Sequence, residues 1–171
     1  SLLVGAQAFT PVVHTELQIA LIAWNDDTCA PCANTYGPVG TWDVTGVTSF
    51  YKLLEGLSDF NENLDGWATG EVTTMHTMVK GATKFAQPVP FDTRKVTDVQ
   101  AMFNSVGTFN QPLPFDTCSV TNIHALFRGA SRFNQPLAFD TSRVSGNGIS
   151  WVFLGASSFN QPVAFDTSSA G

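Results

Sequence analysis

The chain has 171 residues, of which 43% are apolar and 13% charged, and its 14 acidic side chains outnumber its 8 basic ones to give a formal net charge of −6. That size and apolar fraction suit one domain with a continuous core and exclude a disordered chain, while the acidic balance excludes nucleic-acid binding along the phosphate backbone, which needs a cationic face. No apolar run reaches the roughly 18 residues of a membrane span, because Pro11, His14 and Glu16 interrupt the most apolar stretch, Ser1 to Trp24.

Ser1 to Ala8 reads like the end of a signal-peptide apolar stretch, with Ala6-Gln7-Ala8 resembling a small-x-small cleavage site; a signal cut upstream or a longer parent chain explains the start equally well. Thr15 to Trp24 reads as a capping helix, with Thr15 and Gln18 in capping-box positions and Leu17, Ala20, Leu21 and Trp24 as one apolar row. Ile19, Ile22 and Ala23 form a second row, and a helix apolar on both sides is normally covered on both. The expected cover is Leu2, Leu3, Val4 and Phe9, or a partner. Cys29 and Cys32, in CAPC, have the spacing of a local disulfide, with reduced thiols and thiol-disulfide chemistry as alternatives. A zinc site lacks its second pair of ligands. Residues 1–41 form this N-terminal extension and cap, and residues 42–171 form the rest.

From Trp42 onward the chain repeats itself. Phe60, Phe85, Phe109, Phe133 and Phe159 recur at steps of 25, 24, 24 and 26 residues, which makes five units and the start of a sixth at Phe165. In the unit FDTCSVTNIHALFRGASRFNQPLA, Ile123, Leu126, Phe127 and Ala130 fall at i, i+3, i+4 and i+7, the stripe of a short helix, and the same slots are apolar in every unit. Thr48, Thr73, Thr97 and Thr121 suit N-caps, and Gly56, Gly81 and Gly129 suit left-handed stops. Leu137 and Phe139 alternate as in a strand, although Pro136 and its equivalents argue for short or polyproline-like segments. Ser145-Gly146-Asn147-Gly148 contains a two-residue insertion placed where a loop can bulge. The expected fold is therefore α/β: a right-handed, leucine-rich-repeat-like solenoid of short helices and short extended strands behind a capping helix.

At these residues the chain resembles the BspA-like leucine-rich repeat surface proteins, whose unit has the form W/F-D-x-S-x-V-T-x-M-x-x-M-F-x-x-A-x-x-F-N-x-x-L. The resemblance covers Trp42 to Thr167, and Thr35-Tyr36-Gly37-Pro38 is similar to the N-terminal cap of algal and protist members. Ala86, Ala68, Ser105 and the insertion depart from the pattern. The resemblance implies a secreted or surface-exposed protein with adhesive, protein-binding roles, and it brings no catalytic residues.

Several columns of side chains call for a role. Asp92, Asp116, Asp140 and Asp166 are expected to accept turn amides two residues on, with the adjacent Thr doing the same; a calcium ladder is the alternative. Asn61, Asn110, Asn134 and Asn160 are expected to satisfy backbone groups between layers, the alternative being a row of amides that recognises ice or a glycan. His76 and His124, two layers apart with Gln100 between, read as a solvated face. Cys118, in an exposed turn, reads as a free or intermolecular thiol. The residues imply no catalytic set, cofactor or metal site. The expected function is a non-enzymatic interaction or assembly module, a structural subunit of a larger complex or filament that binds protein partners or itself at the ends of the repeat, with Leu2, Leu3, Ile19, Ile22, Cys118 and Phe165 as interface candidates. A small-ligand or glycan-binding module and thiol-disulfide exchange at Cys29 and Cys32 are the alternatives.

Overall fold

The computed structural model describes residues 9–26 and 36–168. Helix α1, His14–Asn25, buries Leu17, Ala20 and Leu21. Its start differs from the expected capping box: Val13 stands at the boundary with no side-chain cap. Glu16 instead accepts the Val12 amide at 2.8 Å, and Gln18 Nε2 donates across to the Lys52 carbonyl at 2.9 Å. Phe9 and Trp24 pack edge-on against Trp42, with ring centroids 5.0 and 6.0 Å away. These contacts, with His14 Nδ1 3.0 Å from the Ser49 carbonyl, seat the cap on the first repeat.

The repeats overturn the expected α/β class. Residues 42–168 contain no α-helix and no strand; they hold turns, a short 3-10 helix at Gly146–Ile149, and isolated parallel bridges that link Ser49, Thr74, Asp98 and Asn122 in series. The segments expected to be helices are ribbons of overlapping turns, and their amides alternate between two uses. In the third unit Val99, Ala101, Phe103 and Ser105 donate to the carbonyls of Asn122, His124, Leu126 and Arg128 in the next unit, at 3.1, 2.8, 3.0 and 2.7 Å. Between them, Met102 and Asn104 donate to carbonyls three residues back, those of Val99 and Ala101. The same alternation joins the first unit to the second, the second to the third and the fourth to the fifth.

A physical reason follows from the length of the segment. A helix of about two turns leaves the first four amides and last four carbonyls without internal partners, so most of its backbone would be unsatisfied. The turn ribbon pairs alternate amides locally and the others between layers, as buried backbone requires. It also keeps Ile123, Leu126, Phe127 and Ala130 buried together, so the helical stripe in the sequence marks the inward face correctly while naming the wrong backbone. Thr73, Thr97 and Thr121 are not caps either, since each donates its hydroxyl to the corresponding threonine carbonyl of the preceding layer.

Two phenylalanine columns run through the stack. Phe60, Phe85, Phe109, Phe133 and Phe159 lie at successive centroid spacings of 6.4, 6.3, 6.1 and 5.9 Å. Phe103, Phe127 and Phe153 form a second stack, each within 4.1 Å of its neighbour in the first. The insertion leaves the ladder intact, because the Gly148 carbonyl accepts the Ile123 amide at 2.8 Å.

The turn ribbon needs left-handed residues at two places per layer. One is the column Lys52, Thr77, Ala101, Ala125 and Trp151, with φ between 51° and 59°; the other is Gly56, Gly81, Ser105, Gly129 and Gly155, with φ between 61° and 78°. An L-residue in this region costs about 1–2 kcal/mol. Ser105→Gly is therefore expected to stabilise the protein by about 0.5–1 kcal/mol, and Gly129→Ala to cost about 1 kcal/mol, after the greater freedom of glycine in the unfolded chain is counted. A Cβ on Gly129 would meet nothing closer than 3.5 Å, so the second effect is conformational. Denaturant midpoints at constant slope check this pair, and shifts of the same sign would refute the turn geometry.

Candidate functional site

The polar columns are largely consumed in holding the layers. Asp92, Asp116, Asp140 and Asp166 each accept the amide two residues on, at 2.9 to 3.2 Å, as the sequence predicts, and Asp43 does the same at 3.1 Å. The adjacent threonines act differently: Thr93 and Thr117 donate to the Asp116 and Asp140 carbonyls of the following layer, and Thr117 and Thr141 accept the Asp140 and Asp166 amides. In the asparagine column, Asn61, Asn110 and Asn134 accept the amides of Ala86, Asn134 and Asn160 in the next layer at 2.8 to 2.9 Å. Those oxygens serve the backbone ladder, as expected for groups that satisfy the backbone between layers.

Hydrogen bonding also sets the electrostatics. Asp92 is held down at about 2 by the Arg94 guanidinium and amide, with Arg94 Nη2 2.6 Å from Asp92 Oδ2. Hydrogen bonds from Cys118 lower Asp116, those from Ser142 lower Asp140, and those from Ser168 lower Asp166. Cys118 is free and exposed, and its thiol is pushed up chiefly by the Asp116 hydrogen bond, which disfavours the reactive thiolate.

Of the residues expected at an interface, Ile19 and Ile22 lie on the outer face of α1, 68% and 40% exposed. Phe165 is partly buried and stacks on Phe153 at 6.0 Å. Leu2, Leu3, Cys29 and Cys32 lie outside the described residues. The fifth layer adds residues that sequence reasoning passed over. Trp151, Leu154 and Val163 are 60%, 53% and 46% exposed around a hollow of about 560 Å³ that Phe153 and Phe165 also line. The Trp151, Phe153 and Gly155 amides hold the places that donate to a following layer elsewhere, and they meet no acceptor among the described residues. The ladder register identifies these donors, and it becomes visible only with the backbone.

A second feature missed from sequence is a trough of about 330 Å³ along the outside of the ribbon. Its floor is Thr77, Ala101 and Ala125, small residues of the left-handed column, whereas the large Lys52 and Trp151 hold that column's ends. His76, Gln100 and His124 form one wall, and Lys80, Asn104 and Arg128 the other. His76 Nδ1 is 3.3 Å from Asp98, and His124 Nδ1 is 3.2 Å from the Asn147 carbonyl. Asn122 donates to Gln100 Oε1 at 2.8 Å. The Thr77 hydroxyl is buried and is the one side-chain polar atom in residues 42–168 so placed without a hydrogen bond, a deficit of about 1–3 kcal/mol by usual measure.

The fold defines a protein made of stacked, hydrogen-bonded repeat layers. The chain belongs to the family described as Mycoplasma protein of unknown function, DUF285, whose model matches it twice in adjoining stretches, residues 27–114 and 113–170. No curated protein and no solved structure matches it.

The lowered aspartates predict an acid limit to stability. Their folded pKa values lie below the unfolded ones, so the unfolded chain binds more protons as the pH falls, and their contribution is present above about pH 4 and lost toward pH 2. The melting temperature should fall across that window, and Arg94→Gln, which frees Asp92, should make the fall shallower. A melting temperature flat from neutral pH to pH 2.5 would contradict the assignment.

Proposed function

We propose that this protein is a non-enzymatic interaction and assembly module, secreted or held at a cell surface, and of the kind that the BspA-like surface proteins represent, which its repeat resembles. The observation that carries this reading is the fifth layer: a row of amide donors without acceptors among the described residues, beside exposed Trp151, Leu154 and Val163. Exposed apolar side chains next to backbone donors of this kind suit a further polypeptide layer that extends the ladder. The outer face of α1, with Ile19 and Ile22, is the second contact surface, so the two ends of the stack can each take a protein partner or a further copy of the chain.

The physical economy of the repeats supports the same reading. The recurring Thr and Asn side chains bond the layers to one another, while the outward slot of Tyr51 holds His76, Gln100, His124 and Ser150 in the layers that follow.

Sedimentation velocity across the micromolar range tests it. The purified chain is expected to self-associate with rising concentration, and Leu154→Asp with Val163→Asp, or Ile19→Glu with Ile22→Glu, should each weaken that association. A chain that stays monomeric at every concentration, or an assembly indifferent to both pairs, would refute the reading.

A further inference from the structure

The trough over Thr77, Ala101 and Ala125 shares Trp151 with the fifth-layer surface, but the assembly reading makes no use of its floor or of the residues along it. We propose that it is a binding site for a short anionic oligosaccharide of the uronate type, lying along the stack axis with its carboxylate at Arg128.

The dimensions come from the repeat. Three small floor residues in consecutive layers, at about 4.8 Å per layer, open a slot roughly 14 Å long, with Lys52 closing it at one end and the Trp151 indole at the other. The unit that makes the ribbon tolerates large side chains in this column, as those two show, so the small floor is not a demand of the fold.

The chemistry of the walls selects the ligand. Lys80 is paired with Glu55 at 2.8 Å. Arg128, by contrast, has no carboxylate within ion-pair distance among the described residues, and its guanidinium lies 5.8 Å from the Trp151 ring centroid. Arg132 and Arg143 share this lack of an ion pair, but Arg128 is the arginine that lines the trough, where it offers one carboxylate a charge-assisted partner. Around it stand groups suited to hydroxyls. The Gln100 oxygen is taken by Asn122 and the Asn104 oxygen by Ser105, which leaves both amide nitrogens as donors. Asp98 and the Asn147 carbonyl engage Nδ1 of His76 and His124, which leaves Nε2 of each ring for a ligand hydroxyl. Donors, acceptors and an exposed indole side by side are what a sugar ring with alternating hydroxyls and an apolar face requires.

A peptide fits less well. An extended peptide is normally held by main-chain hydrogen bonds, and the floor has none to give, because the Thr77, Ala101 and Ala125 amides already donate to Gln100, His124 and Ser150 of the next layers. Thr77 adds an independent sign: its hydroxyl is buried at the trough floor without a hydrogen-bond partner, an exception that calls for an explanation.

Titration calorimetry of the full chain with trigalacturonic acid, maltotriose and a tetraglutamate peptide tests the proposal. Trigalacturonic acid is expected to bind, maltotriose at least tenfold more weakly, and the peptide not at all. Arg128→Gln should weaken trigalacturonic acid at least tenfold while leaving maltotriose unchanged, and Gln100→Ala should weaken both. Gln100 lies in the third layer, away from the end surfaces, so sedimentation of Gln100→Ala should match that of the parent, and a failure of binding here leaves the assembly reading standing. Absence of trigalacturonate binding, binding indifferent to Arg128→Gln, or equal affinity for the peptide would overturn the proposal.

Discussion

Backbone amides that alternate between their own turn and the next layer are the constraint on which this protein is built. Because the amides of Ala101, Phe103 and Ser105 are satisfied only by the following layer, no unit can complete its hydrogen bonding alone, and the layers must stack in register. Register in turn brings like side chains together, which is why phenylalanine lies on phenylalanine at about 6 Å in two columns and why asparagine and threonine oxygens meet amides of the adjacent layer. The left-handed residues are the local cost of that arrangement. Thr77, Ala101 and Ala125 are held at positive φ because the bonds on either side of them leave no other path for the chain.

Much of this was legible in the sequence. The period of the phenylalanines located every unit, the apolar stripe located the buried face, and the glycines at 56, 81 and 129 located left-handed backbone. The backbone conformation of the ribbon is not legible there. A stripe at i, i+3, i+4 and i+7 is shared by a short helix and by this ribbon of turns, and side-chain spacing cannot separate them when the segment is only eight residues or so. What could have separated them is the turn column, where Lys52, Thr77, Ala101, Ala125 and Trp151 share no residue type that signals positive φ. The strands expected around Leu137 and Phe139 failed for a related reason. With a proline in most layers, that segment contributes side chains to the core, and the layer-to-layer bridges form instead at Ser49, Thr74, Asp98 and Asn122.

The candidate surfaces divide along the same line. Ile19 and Ile22 could be found from the second apolar row of the cap helix, since a helix periodicity was correct there. The open donors of the fifth layer and the trough could not, because each depends on which way the amides of the ribbon point. His76, Gln100 and His124 read as a polar face in sequence; only the ribbon shows that they wall a slot floored by small residues. Regular positions thus build the stack, and irregular ones give it surfaces that differ from layer to layer.

Residue-resolved amide hydrogen exchange tests the central claim most directly. The account predicts slow exchange at Ala101, Phe103, Ser105, Ala125, Phe127 and Gly129, whose amides bond to the next layer, and fast exchange in the monomer at their fifth-layer counterparts Trp151, Phe153 and Gly155. If the segments were helices bonded within each unit, the fifth layer would be protected in the same pattern as the third and fourth, and that result would contradict the account.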